Sequence, residues 1–120
     1  MKLFFDGGCR PAGLELAVVT GGKAHVRQGL GPGTGMDAEW LALIEAMRLA
    51  HERGIADPLL LGDAAAVIAQ VTGAAKCPAA YARHHDALRS LPRPAGRVRI
   101  RWIKRTQNLA GIALAALHER

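Results

Sequence analysis

The chain predicts an α/β fold, a mixed five-stranded sheet with helices packed on it. Three observations carry this expectation. Short apolar runs bounded by glycines fill Lys2 to Leu30, with no room for a helix between them. A long stretch of helical periodicity follows, and two later strands are each reached through helix. Strands joined by tight turns form an antiparallel meander, whereas strands joined through helices return parallel by right-handed crossovers. The order is β-β-β-α-β-α-α-β-α.

Lys2–Asp6 reads as a strand apolar on both faces, Leu3 and Phe5 on one and Phe4 on the other, as central strands are. Gly7-Gly8 is expected to stop it, with a turn over Cys9–Gly13. Leu14–Thr20 is the second strand. Gly21-Gly22 makes a tight hairpin into a third, Lys23–Leu30, with weak alternation through Ala24, Val26 and Gln28. In Gly33–Arg53, Trp40, Leu43, Ile44, Met47 and Ala50 form an apolar stripe at helical spacing, and Asp37, Glu45, Arg48 and Glu52 fall opposite. Thr34 as N-cap and Asp37 three residues on make a shortened capping box, so the helix begins near Gly35, and Gly54 ends it. Pro58–Gly62 is a short buried strand. Ala64–Val71 is a helix that Asp63 can cap and Gly73 closes. Pro78–Leu91 is another helix. Arg97–Ile103 is a strand with Arg97, Arg99 and Arg101 on one face and Val98, Ile100 and Trp102 on the other. A last helix runs from about Gln107 to the C-terminus. Trp40, Trp102 and Tyr81 lie on apolar faces and are expected in the core, His84-His85 on a solvated face.

At 120 residues the expectation is one domain over residues 1–120. A chain half hydrophobic and 22% charged is not disordered. No apolar run approaches the ~20 residues of a membrane span. The start has no signal-peptide layout, and Cys9 and Cys77 lack metal spacing. These features predict a cytoplasmic monomer with reduced thiols. The formal charge of +6 is uneven: residues 1–75 hold six Lys and Arg against eight Asp and Glu, whereas residues 76–105 hold nine against Asp86 alone. An acidic cluster beside a basic flank suits a polyanion held for metal-assisted chemistry, although arginine-rich segments are also simply solvated faces.

Three acids stand out. Glu39 lines up with Leu43, Ala46 and Ala50 on a buried stripe, where an acid needs a partner or a task. Asp6 ends the first strand and Asp63 the fourth. If those strands are parallel neighbours, both carboxylates leave the edge where open α/β sheets bind ligands, and Glu39 can reach it. Singly, Asp6 reads as a turn residue, Asp63 as an N-cap and Glu39 as half of an ion pair. Together they favour a site for Mg²⁺ or Mn²⁺, and with it a two-metal displacement at phosphorus.

These segments resemble the type 1 ribonuclease H family. FFDGG is similar to that family's first strand and catalytic Asp, TGMDAEWLAL to its Thr-Asn-Asn-x-x-Glu helix start, LLLGDAAAVIAQVTG to its second Asp and following helix, and RWIKRTQNLAGIALA to its closing strand and helix. The resemblance implies a ribonuclease H-like sheet with helices on both faces. It also implies an endonuclease that cuts the RNA strand of RNA/DNA hybrids, with Asp6, Glu39 and Asp63 as ligands to two Mg²⁺ or Mn²⁺ ions.

The chain departs from the family pattern in its last helix, where Asn-x-x-Ala-Asp-x-Leu-Ala becomes Asn108-Leu-Ala-Gly111-Ile112-Ala-Leu114-Ala115. The fourth carboxylate falls on Ile112. Asn108, one turn earlier, either lends its amide oxygen to a cation as a fourth catalytic ligand or only caps the helix. The family's mobile His has no counterpart; Arg105 in the connection is a candidate for the scissile phosphate. The Asn pair after Thr34 is Gly35 and Met36, and Thr34 remains a candidate phosphate contact. Gly7, Gly8, Cys9 and Arg10 are candidates for backbone contacts to 2′-hydroxyls. The basic helical insertion of some members is missing, and Arg97, Arg99, Arg101 and Lys76 supply nonspecific attraction instead. Two other readings stand: a catalytically silent hybrid- or RNA-binding domain, and a relative acting on DNA junctions or in strand transfer.

Overall fold

In a computed structural model of the chain, which describes residues 1–118, one sheet runs in the order β3-β2-β1-β4-β5. Its strands are β1 (Lys2–Arg10), β2 (Gly13–Thr20), β3 (Lys23–Arg27), β4 (Leu59–Gly62) and β5 (Arg99–Trp102). The helices are α1 (Gly35–Glu52), α2 (Ala65–Thr72), α3 (Ala82–Ser90) and α4 (Leu109–Ala116). The first three strands pair antiparallel, and β4 and β5 join β1 in parallel, as expected. The β2–β3 turn is tight because Gly21 and Gly22 both hold positive φ, 58° and 75°, which side chains disfavour.

The alternation of strand residues sorts the core into two layers. Leu3, Phe5, Leu16, Val18 and Leu60 face α1, whose Trp40, Leu43, Ala46 and Met47 pack on them with Val67 of α2 and Leu88 of α3. Ala17, Val19 and Phe4 face the other way, against Ala110 and Leu114 of α4. Thr34 and Asp37 close the expected capping box on α1.

Several boundaries differ from expectation. Gly7-Gly8 does not stop β1: both glycines stay extended and pair with Leu16 and Glu15, so the strand runs to Arg10 and the turn falls on Pro11-Ala12. A side chain at Gly7 would place its Cβ 2.2 Å from the Ala38 carbonyl oxygen, so the glycine serves the close approach of α1. β3 ends at Arg27 because the chain turns back at Leu30–Gly31 to bond Leu14. α2 starts after Ala64 with no side-chain cap, which leaves Asp63 free of that duty. The helix expected over Pro78–Leu91 opens with a 3-10 turn, Ala79–Tyr81. β5 is shorter than Arg97–Ile103 and lies at the sheet edge, so Trp102 is 53% exposed rather than core. α4 follows a 3-10 turn, Arg105–Gln107, and its expected run to the C-terminus extends outside the described residues. Glu45, Asp37 and His84, placed by pattern on outer faces, are buried.

Candidate active site

Strand register brings two acids together. Phe4 on β1 lies opposite Leu61 on β4 in a parallel pair. Two residues further along from each lie Asp6, inside β1 rather than at its end as expected, and Asp63, just past the end of β4, side by side with strands about 4.8 Å apart. α1 delivers the third acid. Because Gly7 lets the helix start lie against β1, Glu39 in its first turns reaches over the strand and accepts the Gly7 N–H. Ligand oxygens of Asp6, Glu39 and Asp63 all lie within 4.8 Å of one another.

The electrostatics of this rim are unfavourable for the bare carboxylates. Burial, with the neighbouring Asp6 carboxylate second, pushes Glu39 up to about 9. Asp6 is also raised, chiefly by burial and further by the charge of Asp63, against hydrogen bonds from Glu39 and the Gly7 N–H and the charge of Arg105. Among the described residues, none of the three carboxylates is in an ion pair. Such a trio keeps a proton or takes up a cation, and an all-oxygen donor set fits a hard divalent ion.

Asn108 sits fully buried behind the rim and acts through hydrogen bonds. Its amide nitrogen donates to the Phe5 carbonyl at 3.0 Å and to Asp63 Oδ2 at 3.3 Å. Its amide oxygen accepts the Ala110 N–H at 3.1 Å and caps α4. Of the two readings of Asn108, the hydrogen bonds favour the cap over the ligand: the oxygen accepts from the helix, while the nitrogen braces Asp63. Ile112 is 54% exposed, and at Gly111, beside it on α4, a Cβ would lie 3.2 Å from Asp6 Oδ2.

The expected substrate residues divide. The Gly7 N–H proposed for a 2′-hydroxyl is spent on Glu39. Gly8, Cys9 and Arg10 lie along β1 beyond the rim; Arg10 reaches Glu15 at 3.5 Å, and Cys9 and Arg10 line a cleft of about 390 Å³ against Gly31–Gly33. The Thr34 hydroxyl contacts Asp37 and the Tyr81 hydroxyl at 3.0 Å. Arg105 is exposed in the turn before Asn108, near enough for its charge to act on Asp6. Trp102 was missed as a neighbour of the site: its indole N–H donates to the Asp63 carbonyl at 3.2 Å. Its alternation with Val98 and Ile100 pointed inward, and only the edge position of β5 exposes it.

The fold and rim together define a ribonuclease H-like domain. The ribonuclease H1 of the halophilic archaeon Halobacterium salinarum NRC-1 superposes with a TM-score of 0.77 at 28% identity, over 96% of this chain and 97% of that one. The N-terminal ribonuclease H domain of rv2228c from Mycobacterium tuberculosis, solved as a maltose binding protein fusion, shares the fold at 23% identity and a TM-score of 0.75, over 94% and 93% of the two chains. LC11 ribonuclease H1, solved in complex with an RNA/DNA hybrid, shares it at 18% identity and 0.69, over 90% and 88%. No curated protein sequence matches the chain. The family model described as reverse transcriptase-like matches residues 18–118, and the chain belongs to that ribonuclease H-like family.

Proposed function

We propose that the chain is a metal-dependent endoribonuclease that hydrolyses the RNA strand of RNA/DNA hybrids. The observation that carries this reading is the meeting of Asp6, Glu39 and Asp63 within 4.8 Å of one another, with Asp6 and Glu39 raised in pKa and none of the three in an ion pair among the described residues. Those three side chains would hold two divalent ions, Mg²⁺ or Mn²⁺. When bound, the ions supply an activated water and stabilise the leaving 3′ oxygen. Glu39 gives up its proton as the cations enter, and Asn108 keeps Asp63 aimed at the rim. Ile112 stands where a fourth carboxylate would serve, so one ion is held weakly and activity needs high metal, with Mn²⁺ preferred. Thr34, Cys9, Arg10 and Arg105 would be the substrate contacts, reading hybrid shape and 2′-hydroxyls rather than base sequence. A hybrid-bound relative of the same fold supports that choice of substrate. Among the described residues no helix is long and apolar enough to cross a membrane, and the reading keeps the chain a cytoplasmic monomer.

The second reading, a silent hybrid-binding domain, is favoured by the hydrophobic side chain at position 112. One assay decides: cleavage of an RNA/DNA hybrid, an RNA duplex and a DNA duplex across Mg²⁺ and Mn²⁺ series, with Asp6→Asn as control. Hybrid-selective cutting that Asp6→Asn abolishes is expected. Hybrid binding with no cutting at any metal level establishes the silent domain.

A further inference from the structure

We propose that an arginine-lined cleft on the β5 flank is a second nucleic-acid contact, taking phosphates of a strand that runs on from the acid rim. The cleft, about 450 Å³, opens between the end of α2, α3 and β5. Its floor is apolar, from Met47, Leu88, Val98 and Ile100. Its walls carry Arg89, Arg93, Arg97, Arg99 and Arg101, with His85 beside them. Among the described residues only Arg89 has an acidic partner, Asp86 at 2.6 Å. A second carboxylate, Asp57, accepts the Arg97 backbone N–H at 2.7 Å but is in no ion pair with a guanidinium among the described residues. Clustered guanidinium groups that outnumber their counter-charges repel one another and hold mobile anions, which a polyanion displaces on binding.

The arrangement selects phosphodiester over a single anion. Every Lys or Arg of the walls is arginine, whose planar fork pairs two oxygens of a phosphate at once. Arg99 and Arg101 alternate along β5 about 6.6 Å apart, and Arg97 precedes them at the same sequence spacing just before the strand, a row rather than a pocket. The row also leads somewhere. Arg101 lies opposite Leu61, two residues before Asp63 on the neighbouring strand, and the arginines recede from the rim by about 3.3 Å per residue. A backbone leaving the acids along the β5 edge meets them in succession. The inference rests on the nuclease reading for the identity of the polyanion.

Its test is separable from cleavage. Arg93→Gln/Arg97→Gln, both exposed and farthest from the rim, is introduced into the chain carrying Asp63→Asn. Lys23→Gln/Arg53→Gln, on the opposite edge, is the charge-matched control. Binding of a short hybrid that covers only the rim and of a long hybrid is followed by fluorescence anisotropy over a salt series in chelator. The cleft variant should lower the salt slope for the long hybrid by about 2 and leave the short hybrid unchanged, with the control unchanged on both. An unaltered slope, an equal loss in the control, or an equal loss on both hybrids overturns the cleft. Competition by polyglutamate as strong as that by the long hybrid overturns it as well, since the site would then read charge alone. If the unsubstituted chain cuts no hybrid yet the slope falls as expected, the nuclease reading fails and the cleft stands.

Discussion

Glu39, half-buried, and Glu45, buried, stand on the same helix, yet their carboxyls titrate in opposite directions. Burial opposes ionisation of Glu45, but hydrogen bonds from Arg48 and His25 and the charge of Arg27 overcome it and hold the group below the usual carboxylate range. Glu15, held by His118, Gln28 and Arg10, and Asp37, held by the Thr34 N–H, His84 and Arg83, behave likewise. Glu39 faces Asp6 and Asp63 instead and is pushed up to about 9. The difference teaches that burial alone does not mark a site. Three of the buried acids are structural because ion-paired protein cations come with them, and the rim is distinguished by acids that face one another with no ion pair among the described residues.

The largest test of that contrast is chemical. Asp63→Asn should cost hybrid cleavage more than the roughly 10–100-fold typical of losing an outer partner of a metal ligand. Glu45→Gln should leave turnover per folded molecule unchanged; a comparable loss there would erase the distinction. Next, Ile112→Asp tests whether a carboxylate on α4 at this position reaches the ions. It should lower the metal concentration for half-maximal activity about tenfold and bring Mg²⁺ activity toward that in Mn²⁺; an unmoved midpoint in metal titrations would show that position 112 does not face the ions.

Stability separates the two kinds of acid by sign. Glu45→Gln should destabilise by about 1.5–3 kcal/mol, the worth of hydrogen bonds to a charged group, in urea unfolding at neutral pH. Glu39→Gln should stabilise the metal-free chain under the same conditions, because it removes a carboxylate that resists ionising. Loss of stability in both would refute the assignment.

The pH profile is the finest probe. Glu39 has a folded pKa above its unfolded one, so its contribution is complete at low pH and is lost as pH rises toward about 9. Glu15, Asp37 and Glu45 have lowered pKa values, so theirs is present at neutral pH and lost as pH falls through the acid range. In chelator, stability should therefore decline from about pH 5 to pH 9, and saturating Mn²⁺ should flatten that decline. A decline that metal leaves untouched would place its origin outside the rim.

Local physics made much of this molecule legible in one dimension. Glycine pairs, the Thr34–Asp37 capping box, the stripe from Trp40 to Ala50 and the helix-linked strands are short-range signals, and they suffice for the element order and for Asp6, Glu39 and Asp63 as the acids of interest. The neighbourhood of each side chain was decided only by tertiary structure. Helical spacing put Glu45 opposite the apolar stripe, but β3 folds over that side and brings His25 and Arg27 to it. Strand alternation put Trp102 with the core, but nothing packs beyond an edge strand. The amide of Asn108 could face a cation or a helix end, and contacts with Phe5 and Ala110 chose the helix end. A residue's own chemistry and its near neighbours set which element it joins; charge pairing, exposure and the direction of a hydrogen bond depend on chain segments far away in sequence, and these meet only when the sheet closes.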